Sequence, residues 1–298
     1  MSTPQQVGEA SLAGALWWYT GSVLYPARVF KRAGLPVVGE PVGDELEGLP
    51  RSGLGPLFSV GNPPPVLLTV ETEHDHLVEE FDRMAEVYDL VVKPFSTPIF
   101  DEAVSTLEHF LEPDWRILDT GCGPGREVRR LARLVPDGEV VGVDLAAGMV
   151  NVADAAARAA GLDNCAFFQA DVGELPRAFN AKFDLVYNSL AHHHYPDPAR
   201  AAASVLRCLR PGGLYCIVDP GPAWFNAISA PLARRTDPGW IGFHTPKGFR
   251  ELLSGAGFVR TRWVPLLPGF GAAIGQKAAR SQRAKPGVAR RPRGSKRI

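Results

Sequence analysis

The sequence lacks any apolar run long enough to cross a bilayer. No stretch of its 298 residues reaches the ~18 consecutive apolar residues that a membrane-spanning helix needs. The N-terminus also lacks the basic start and the continuous apolar segment of a secretory signal peptide. We therefore expect a cytoplasmic protein without a transmembrane segment.

Cysteine is scarce, with four residues in the whole chain. None belongs to a CxxC pair or to a spacing typical of metal ligands. All four lie in apolar or glycine-rich segments, which favours reduced thiols and argues against a disulfide framework. We predict no bound metal. The four residues are Cys122, Cys165, Cys208 and Cys216.

The chain has no net charge, because 32 Lys and Arg residues balance 32 Asp and Glu residues. The balance is uneven, since nine bases and no acid lie from Lys277 to Ile298. This tail has no aromatic residue that could stack on a nucleobase, and it is rich in Gly, Pro and Ala. We predict a disordered basic tail at 279–298 and no nucleic-acid partner.

Composition divides the remaining chain into two parts. Residues 1–74 contain many Gly and Pro residues and one aromatic-rich stretch from Leu12 to Phe30. We predict that this extension is partly irregular and packs on the main domain. Residues 75–278 have the periodicity of a folded domain.

The main domain is predicted to begin with two helices. Apolar residues from Leu77 to Tyr88 follow the spacing of an amphipathic helix face. Pro94 and Pro98 then predict an interruption before a second helix around Phe100–Leu111.

From Trp115 onward, apolar runs of strand length alternate with helical segments. This alternation is typical of βαβ units, whose parallel sheet is buried on both faces, and it predicts an α/β fold. Thr245-Pro246 predicts the start of a late helix, and two apolar runs at Phe258–Val264 and Phe270–Gly275 predict a closing hairpin. The predicted parallel strands are Arg116–Asp119, Val140–Asp144, Cys165–Gln169, Phe183–Asn188 and Gly213–Asp219, with helices at Arg126–Leu134, Met149–Ala159 and Pro198–Leu209.

A glycine-rich turn follows the first of these strands, with Gly121, Gly123 and Gly125 in alternation. Glycines let the backbone approach a ligand closely, and the helix that starts there offers unpaired N–H groups. The dinucleotide pattern GxGxxG would need a glycine where Arg126 stands. Asp119, two residues before the first glycine, can accept from an ammonium group, which favours a ligand bearing an amino acid over a pyrophosphate.

Two further acids end the next two strands. Asp144 stands at the end of the second strand, where it can accept both hydrogens of a ribose diol, and a helix-capping role is the alternative for it. Asp171 follows the third strand, in a position suited to an adenine amino group. Met149 could line the adenine side, and a role in the core is an alternative for it. Together these residues predict a nucleoside site with an amino-acid arm.

The set resembles the motifs of class I S-adenosylmethionine-dependent methyltransferases over residues 75–278. Besides the residues above, Phe183-Asp184-Leu185-Val186 and Leu209-Arg210-Pro211-Gly212-Gly213 match in order and spacing. The resemblance implies a three-layer Rossmann-like αβα sandwich. Its seven-stranded, mostly parallel sheet would have the order 3-2-1-4-5-7-6, with the last-formed strand antiparallel.

The resemblance also implies S-adenosylmethionine as the cofactor, lying across the carboxyl ends of strands 1 to 3. Asp119 and the glycines would face its methionine part, Asp144 its ribose, and Asp171 its adenine. The predicted cofactor-binding residues are Tyr88, Asp119, Gly121, Cys122, Gly123, Gly125, Asp144, Leu145, Met149, Asp171, Val172, Asn188 and Ser189.

A narrower resemblance is to ubiquinone- and menaquinone-biosynthesis methyltransferases and related small-molecule enzymes. It depends on the segments from Phe81 to Asp89 and from Leu190 to Pro198. The second segment contains His192, His193 and His194, which follow strand four at the edge where an acceptor must lie. We predict these histidines as candidate catalytic bases, with a structural role as the alternative.

The predicted function is methyl transfer to an oxygen or carbon of a small, apolar or aromatic metabolite, by a monomer or homodimer. In this family, the N-terminal extension and the segment from Gly221 to His244 would roof the acceptor site. Alternatives are a cofactor-binding partner subunit without catalysis and, less favoured, a nicotinamide-dependent oxidoreductase. The aromatic residues predicted to line the roof are Trp17, Trp18, Tyr19, Trp224, Phe225, Trp240 and Phe243.

Overall fold

The computed structural model describes residues 75–85, 88–237 and 239–279. The predictions for the N-terminal extension, its aromatic residues and most of the basic tail lie outside the described residues. Short 3₁₀ turns occur at Val172–Glu174, Arg177–Phe179 and His192–His194. The regular elements are α1 (Asp75–Met84), α2 (Tyr88–Glu108), β1 (Arg116–Thr120), α3 (Arg126–Leu134), β2 (Glu139–Asp144), α4 (Ala147–Ala159), β3 (Cys165–Gln169), β4 (Phe183–Ser189), α5 (Pro198–Cys208), β5 (Leu209–Pro220), α6 (Ala223–Thr236), α7 (Pro246–Gly255), β6 (Val259–Leu267) and β7 (Phe270–Gln276).

The strands form one seven-stranded sheet in the order β3-β2-β1-β4-β5-β7-β6. Neighbouring strands from β3 to β5 are parallel, whereas β7 is antiparallel to both β5 and β6. This confirms the predicted α/β fold and the predicted strand order. The parallel strands therefore present their carboxyl ends, and the loops that follow them, along one edge of the sheet.

Alternate residues of each strand bury opposite faces of the sheet. Ile117 of β1 belongs to a core with side chains of α2, α3 and α4, while its neighbour Leu118 belongs to a core with α5 and α7. Both residues are fully buried. Their near-continuous apolar composition is what a parallel strand covered on both sides requires.

The predicted interruption at Pro94 and Pro98 is wrong. Helix α2 runs continuously through both prolines. The two helices are instead separated before α2, since α1 ends at Met84 and α2 begins at Tyr88. A proline in a helix interior costs about 3 kcal/mol because it removes a hydrogen bond and crowds the preceding turn. Burial of the α2 face that includes Ile99 and Leu107 against the sheet offsets that cost.

Helix α6 was not predicted as a helix, because its segment begins among Gly and Pro residues and contains Pro231. Strand β5 also begins earlier than predicted, at Leu209, since its pairing with β4 continues across an irregularity next to Phe183. The predicted cap of α7 is confirmed. The Thr245 hydroxyl accepts a hydrogen bond from the Gly248 N–H at 3.1 Å.

Candidate active site

The loop between β1 and α3 is a tight turn built on three glycines in the left-handed region. The φ angle is +72° at Gly121, +49° at Gly123 and +72° at Gly125. A β-carbon at Gly121 would lie 2.5 Å from the Cβ of Ala191, so the turn packs closely on the segment after β4. A β-carbon at Gly123 would meet no atom within 4 Å outside the adjoining residues. Gly123 therefore borders open space where a ligand can approach the backbone.

Asp144, at the end of β2, holds this turn in place. Its Oδ2 accepts a hydrogen bond from the Gly123 N–H at 2.8 Å, and its Oδ1 accepts from the Ala146 N–H at 3.0 Å. Burial raises the pKa of this carboxyl, and the backbone hydrogen bonds partly offset that effect. Asp144, the residue predicted to bind the ribose, thus lies directly beside the glycine turn.

Asp119 and Asn188 lie at the ends of two neighbouring strands next to the same turn. Asp119 is 3% exposed, and burial, followed by the charges of Glu127 and Asp144, raises its pKa well above the ordinary value. The Asn188 amide donates to the Thr120 carbonyl oxygen at 2.6 Å. Its buried Oδ1 has no hydrogen-bond partner among the described residues. A ligand with positive charge and hydrogen-bond donors would satisfy both side chains.

The other predicted cofactor residues lie around the carboxyl ends of β1 to β4. Tyr88 and Met149 pack in one small cluster with Ala146, which follows the carboxyl end of β2. Asp171 accepts from the Gly173 N–H at 2.7 Å and lies 3.4 Å from the Arg200 guanidinium, so both of its oxygens already have neighbours. The sequence could not show this capping role. The structure also places Cys122 and Val172 in buried positions and Leu145 and Ser189 in half-buried ones.

The three histidines form one 3₁₀ turn after β4, and they occupy three different environments. A 3₁₀ helix has three residues per turn, so consecutive side chains point about 120° apart. His192 is 2% exposed and packs against Tyr195, His244 and Phe249. Burial, followed by the charges of His244 and His193, lowers its pKa well below the ordinary value. His192 is therefore a neutral residue within the core.

His193 is paired with a carboxylate that the sequence analysis did not single out. The Nδ1 atom of His193 lies 2.6 Å from Oδ1 of Asp219, which ends β5 and is fully buried. Burial alone would lower the pKa of His193, but the charge of Asp219, the hydrogen bond to it and the charge of Asp237 together raise it. The position of Asp219 at a strand end, after Ile217-Val218, was a signal that could have found it.

His194 and Asp237 complete the cluster. Asp237, just after α6, lies 3.7 Å from Nε2 of His193 and 3.7 Å from Nδ1 of His194. Burial, followed by the charge of His193, lowers the pKa of His194 despite the opposing charge of Asp237. No sequence signal could have found Asp237, because its place depends on the unpredicted helix α6.

These three residues also offer possible metal-ligating atoms that lie within 4.8 Å of one another. Around a tetrahedral zinc ion, ligand atoms lie about 3.4 Å apart, given metal–nitrogen distances of ~2.0–2.1 Å. The cluster of His193, His194 and Asp237 would have to contract to hold such an ion. The expected absence of a metal stays a prediction.

Two of the predicted roof aromatics adjoin the histidine turn. Phe243 packs edge-on against His193 with centroids 5.3 Å apart, and Trp240 packs on Phe243 at 5.4 Å. The Ile241 N–H donates to the His193 carbonyl oxygen at 2.9 Å, which fastens this loop to the turn. Of the other two predicted roof aromatics in the described residues, Phe225 packs against Phe270 of β7, and Trp224 is 58% exposed.

Comparison with known proteins agrees with this geometry. The family described as "Methyltransferase domain" matches residues 117–213, which include the glycine turn and the histidines. The chain is 30% identical over 204 residues to nocamycin O-methyltransferase of Saccharothrix syringae, covering 61% of this chain and 72% of that protein. This chain belongs to the class I S-adenosylmethionine-dependent methyltransferases.

Another relative of this methyltransferase is the trans-aconitate 2-methyltransferase of Deinococcus radiodurans. It is 32% identical over 161 residues, covering 49% of this chain and 59% of that protein. The chain thus spans less than two thirds of this relative's length. A solved methyltransferase of Aquifex aeolicus has the same fold, with a TM-score of 0.51 and 18% identity, covering 67% of this chain and 97% of that one. The narrower resemblance to quinone-biosynthesis enzymes stays a prediction.

The cofactor of the methyltransferase is S-adenosylmethionine, and the residues present fit it. The open side of Gly123 leaves room for a ligand at the turn, and the acids beside it suit a cofactor that carries a sulfonium and an ammonium group. The buried Oδ1 of Asn188, which has no partner among the described residues, can accept a hydrogen bond from the cofactor.

In the described part of the chain, no helix has the length and hydrophobicity needed to span a membrane.

Proposed function

We propose that this methyltransferase transfers a methyl group from S-adenosylmethionine to an oxygen or carbon of a small, apolar or aromatic metabolite. The observation that carries the proposal is the hydrogen bond between His193, in the turn after β4, and the buried Asp219, at the carboxyl end of β5. In a cofactor-binding partner subunit without catalysis, this pair would serve only to hold the turn after β4 in place. Membership in the methyltransferases removes the nicotinamide alternative. The proposal includes a cytoplasmic monomer or homodimer with no nucleic-acid partner.

The cofactor residues are proposed as the motifs predict. Asp119, the glycine turn, Asn188 and Ser189 hold the methionine part, and Asp144 accepts from the ribose hydroxyls. Asp171 and Val172 border the adenine. Leu145 and Met149 line the adenine side of the site, and Tyr88 covers the cofactor. When bound, S-adenosylmethionine supplies an electrophilic methyl group whose leaving group is a neutral thioether. The protein must therefore position the acceptor in line, exclude water and receive the acceptor's proton.

His193 is the histidine that we assign as the base. The hydrogen bond to Asp219 fixes the tautomer in which Nδ1–H donates to the carboxylate, so the lone pair of Nε2, 3.7 Å from Oδ2 of Asp237, can accept a proton. Asp219 and Asp237 then stabilise the imidazolium that forms when Nε2 takes the proton. His192 and His194 have lowered pKa values, which suits them to shaping the site as neutral rings.

The proposed function predicts that the full chain moves label from methyl-tritiated S-adenosylmethionine into a deproteinised extract of the cells that make it. Binding of S-adenosylhomocysteine, followed by calorimetry, measures the cofactor site separately. Binding without label transfer would contradict the proposed activity while leaving the cofactor site standing.

Asp144→Ala should weaken binding of S-adenosylhomocysteine by about 1–3 kcal/mol through loss of charge-assisted hydrogen bonds. Calorimetry at constant pH measures this loss. Asp163→Ala is the matched control, because Asp163 is an exposed aspartate in the loop before β3, at the opposite edge of the sheet. An unchanged affinity in Asp144→Ala would remove this residue from the cofactor site.

Dialysis against EDTA should leave turnover unchanged. The physical reason is that Nε2 of His193 cannot hold a metal ion and accept a proton at once. Metal content by mass spectrometry, together with turnover before and after adding back Zn²⁺, Mg²⁺ or Mn²⁺, makes the test. Lost turnover that one of these ions restores would contradict the assignment of His193 as the base.

A further inference from the structure

We propose that the acceptor is a neutral hydroxyl compound, with a phenol, enol or alcohol oxygen as the nucleophile, and not a carboxylate. This inference rests on the proposed function and narrows it. It also separates this chain from its relative that methylates trans-aconitate, whose name denotes an acid.

A carboxylate and a hydroxyl compound differ in whether they still carry a proton when they react. A carboxyl group, with an ordinary pKa of about 4, has already lost its proton at neutral pH, whereas a phenol, with a pKa of about 10, keeps it. A base beside the acceptor contributes only when a proton must leave during the reaction. The buried Asp219 and the 2.6 Å hydrogen bond that orients His193 therefore serve an acceptor that loses a proton as it reacts, such as a hydroxyl group, and would contribute nothing with a carboxylate.

Two carboxylates lie next to His193. His193 faces Asp219 and Asp237, and Asp237 also faces His194. Among the ion pairs found in the described residues, none brings a Lys or Arg to Asp219 or Asp237. The guanidinium of Arg234 lies over the ring of Trp240, 5.3 Å from its centroid, and makes no ion pair with either carboxylate among those found in the described residues. An anionic acceptor at His193 would meet like charge, and carboxylates in proteins are commonly held by arginine.

The surface beside His193 is aromatic. Phe243 packs on the imidazole, Trp240 packs on Phe243, and Phe81 meets His194 edge-on with centroids 5.3 Å apart. These rings suit a flat, apolar body that carries one polar group. A polycarboxylate such as aconitate offers no such body.

The step balances without any further reactant. The hydroxyl O–H bond breaks and its proton goes to Nε2 of His193, while an oxygen–methyl bond forms and the sulfur–methyl bond breaks. The positive charge of the sulfonium ends on the imidazolium, beside Asp219 and Asp237, and both organic products are neutral. The protein then returns the proton to solvent.

The chemistry of the transferred label tests the inference. After reaction of the full chain with methyl-tritiated S-adenosylmethionine and the cell extract, products are treated with mild alkali or with hot hydriodic acid. A methyl ether survives alkali and releases iodomethane in hydriodic acid, which is the expected result. Label released as methanol by alkali would show a methyl ester, and label stable to both treatments would show methylation of carbon or nitrogen. Either result overturns the inference while upholding methyl transfer, whereas no transfer at all overturns the proposed function.

A matched pair of probes tests the charge argument independently. We expect 2-naphthol to compete with the labelled acceptor more than about tenfold better than 2-naphthoate does, because like charges repel the second. Asp237→Asn should narrow this difference by improving competition by 2-naphthoate. If 2-naphthoate competed with the labelled acceptor for the unaltered protein as well as 2-naphthol does, or better, the acceptor would not be neutral.

Discussion

Replacing His193 with asparagine should lower turnover by about 10²–10⁴-fold, the contribution typical of a positioned general base. The asparagine amide can donate to Asp219 in place of Nδ1–H, so the buried carboxylate keeps a partner. Nothing replaces the lone pair on Nε2, so the acceptor proton has no destination. Single-turnover rates measure the loss, and affinity for S-adenosylhomocysteine should stay unchanged because the base does not hold the cofactor.

The pH profile distinguishes a base from a structural histidine. His193 must be neutral to accept a proton, so turnover should rise with pH through its pKa. The groups that face it are Asp219, Asp237 and His194, and the two carboxylates raise that pKa above the ordinary histidine value. The acid limb should therefore lie above the ordinary pKa of histidine, and Asp219→Asn should move it to lower pH.

His194→Asn is the matched control for this series, since His194 is the adjacent ring with a lowered pKa. It should leave the acid limb in place. A limb that does not move in Asp219→Asn, or a His193→Asn variant that keeps full turnover, would assign the pair a purely structural role.

Features that depend on the local backbone could be read from the sequence. The glycines at 121, 123 and 125 signalled a turn in the left-handed region, which side chains disfavour, and the structure has this turn. The strand-end acid Asp144 lies beside this turn, as is expected of parallel strands whose carboxyl ends meet along one edge. The order of the strands came only from the resemblance, since alternation of strands and helices does not by itself fix how the strands are arranged.

Features that depend on distant packing could not be read. Three adjacent histidines look equivalent in a sequence, and only the 3₁₀ turn separates His192 in the core from His193 beside Asp219. Asp237 joins them because α6 ends close to the histidine turn in space, although Asp237 lies 43 positions after His194 in the sequence. The helix that brings it there was not predicted, because it contains Pro231. Helix α2 shows the same limit, because tertiary burial outweighed a local rule about proline.

Alanine substitutions in the glycine turn should separate stability from cofactor binding. Gly121→Ala places a residue at φ +72° with its β-carbon 2.5 Å from Cβ of Ala191. Left-handed strain and overpacking together should lower the free energy of unfolding by roughly 2–5 kcal/mol. That is a large part of the ~5–15 kcal/mol that stabilises a typical domain, so urea midpoints should fall markedly.

Gly123→Ala should behave differently, because its β-carbon meets no protein atom within 4 Å. Unfolding should be easier by only about 1–2 kcal/mol, the cost of the left-handed conformation. The added methyl group occupies the open side of the turn, so affinity for S-adenosylhomocysteine should fall on the order of 100-fold, which is about 2.7 kcal/mol.

Gly161→Ala supplies the matched control for both substitutions. Gly161 has φ +65° and open space around its β-carbon, but it lies after α4, near the amino end of β3. The same backbone strain should appear there without any change in cofactor affinity. If Gly123→Ala and Gly161→Ala weakened binding equally, or not at all, the open face of Gly123 would not be where the methionine part lies.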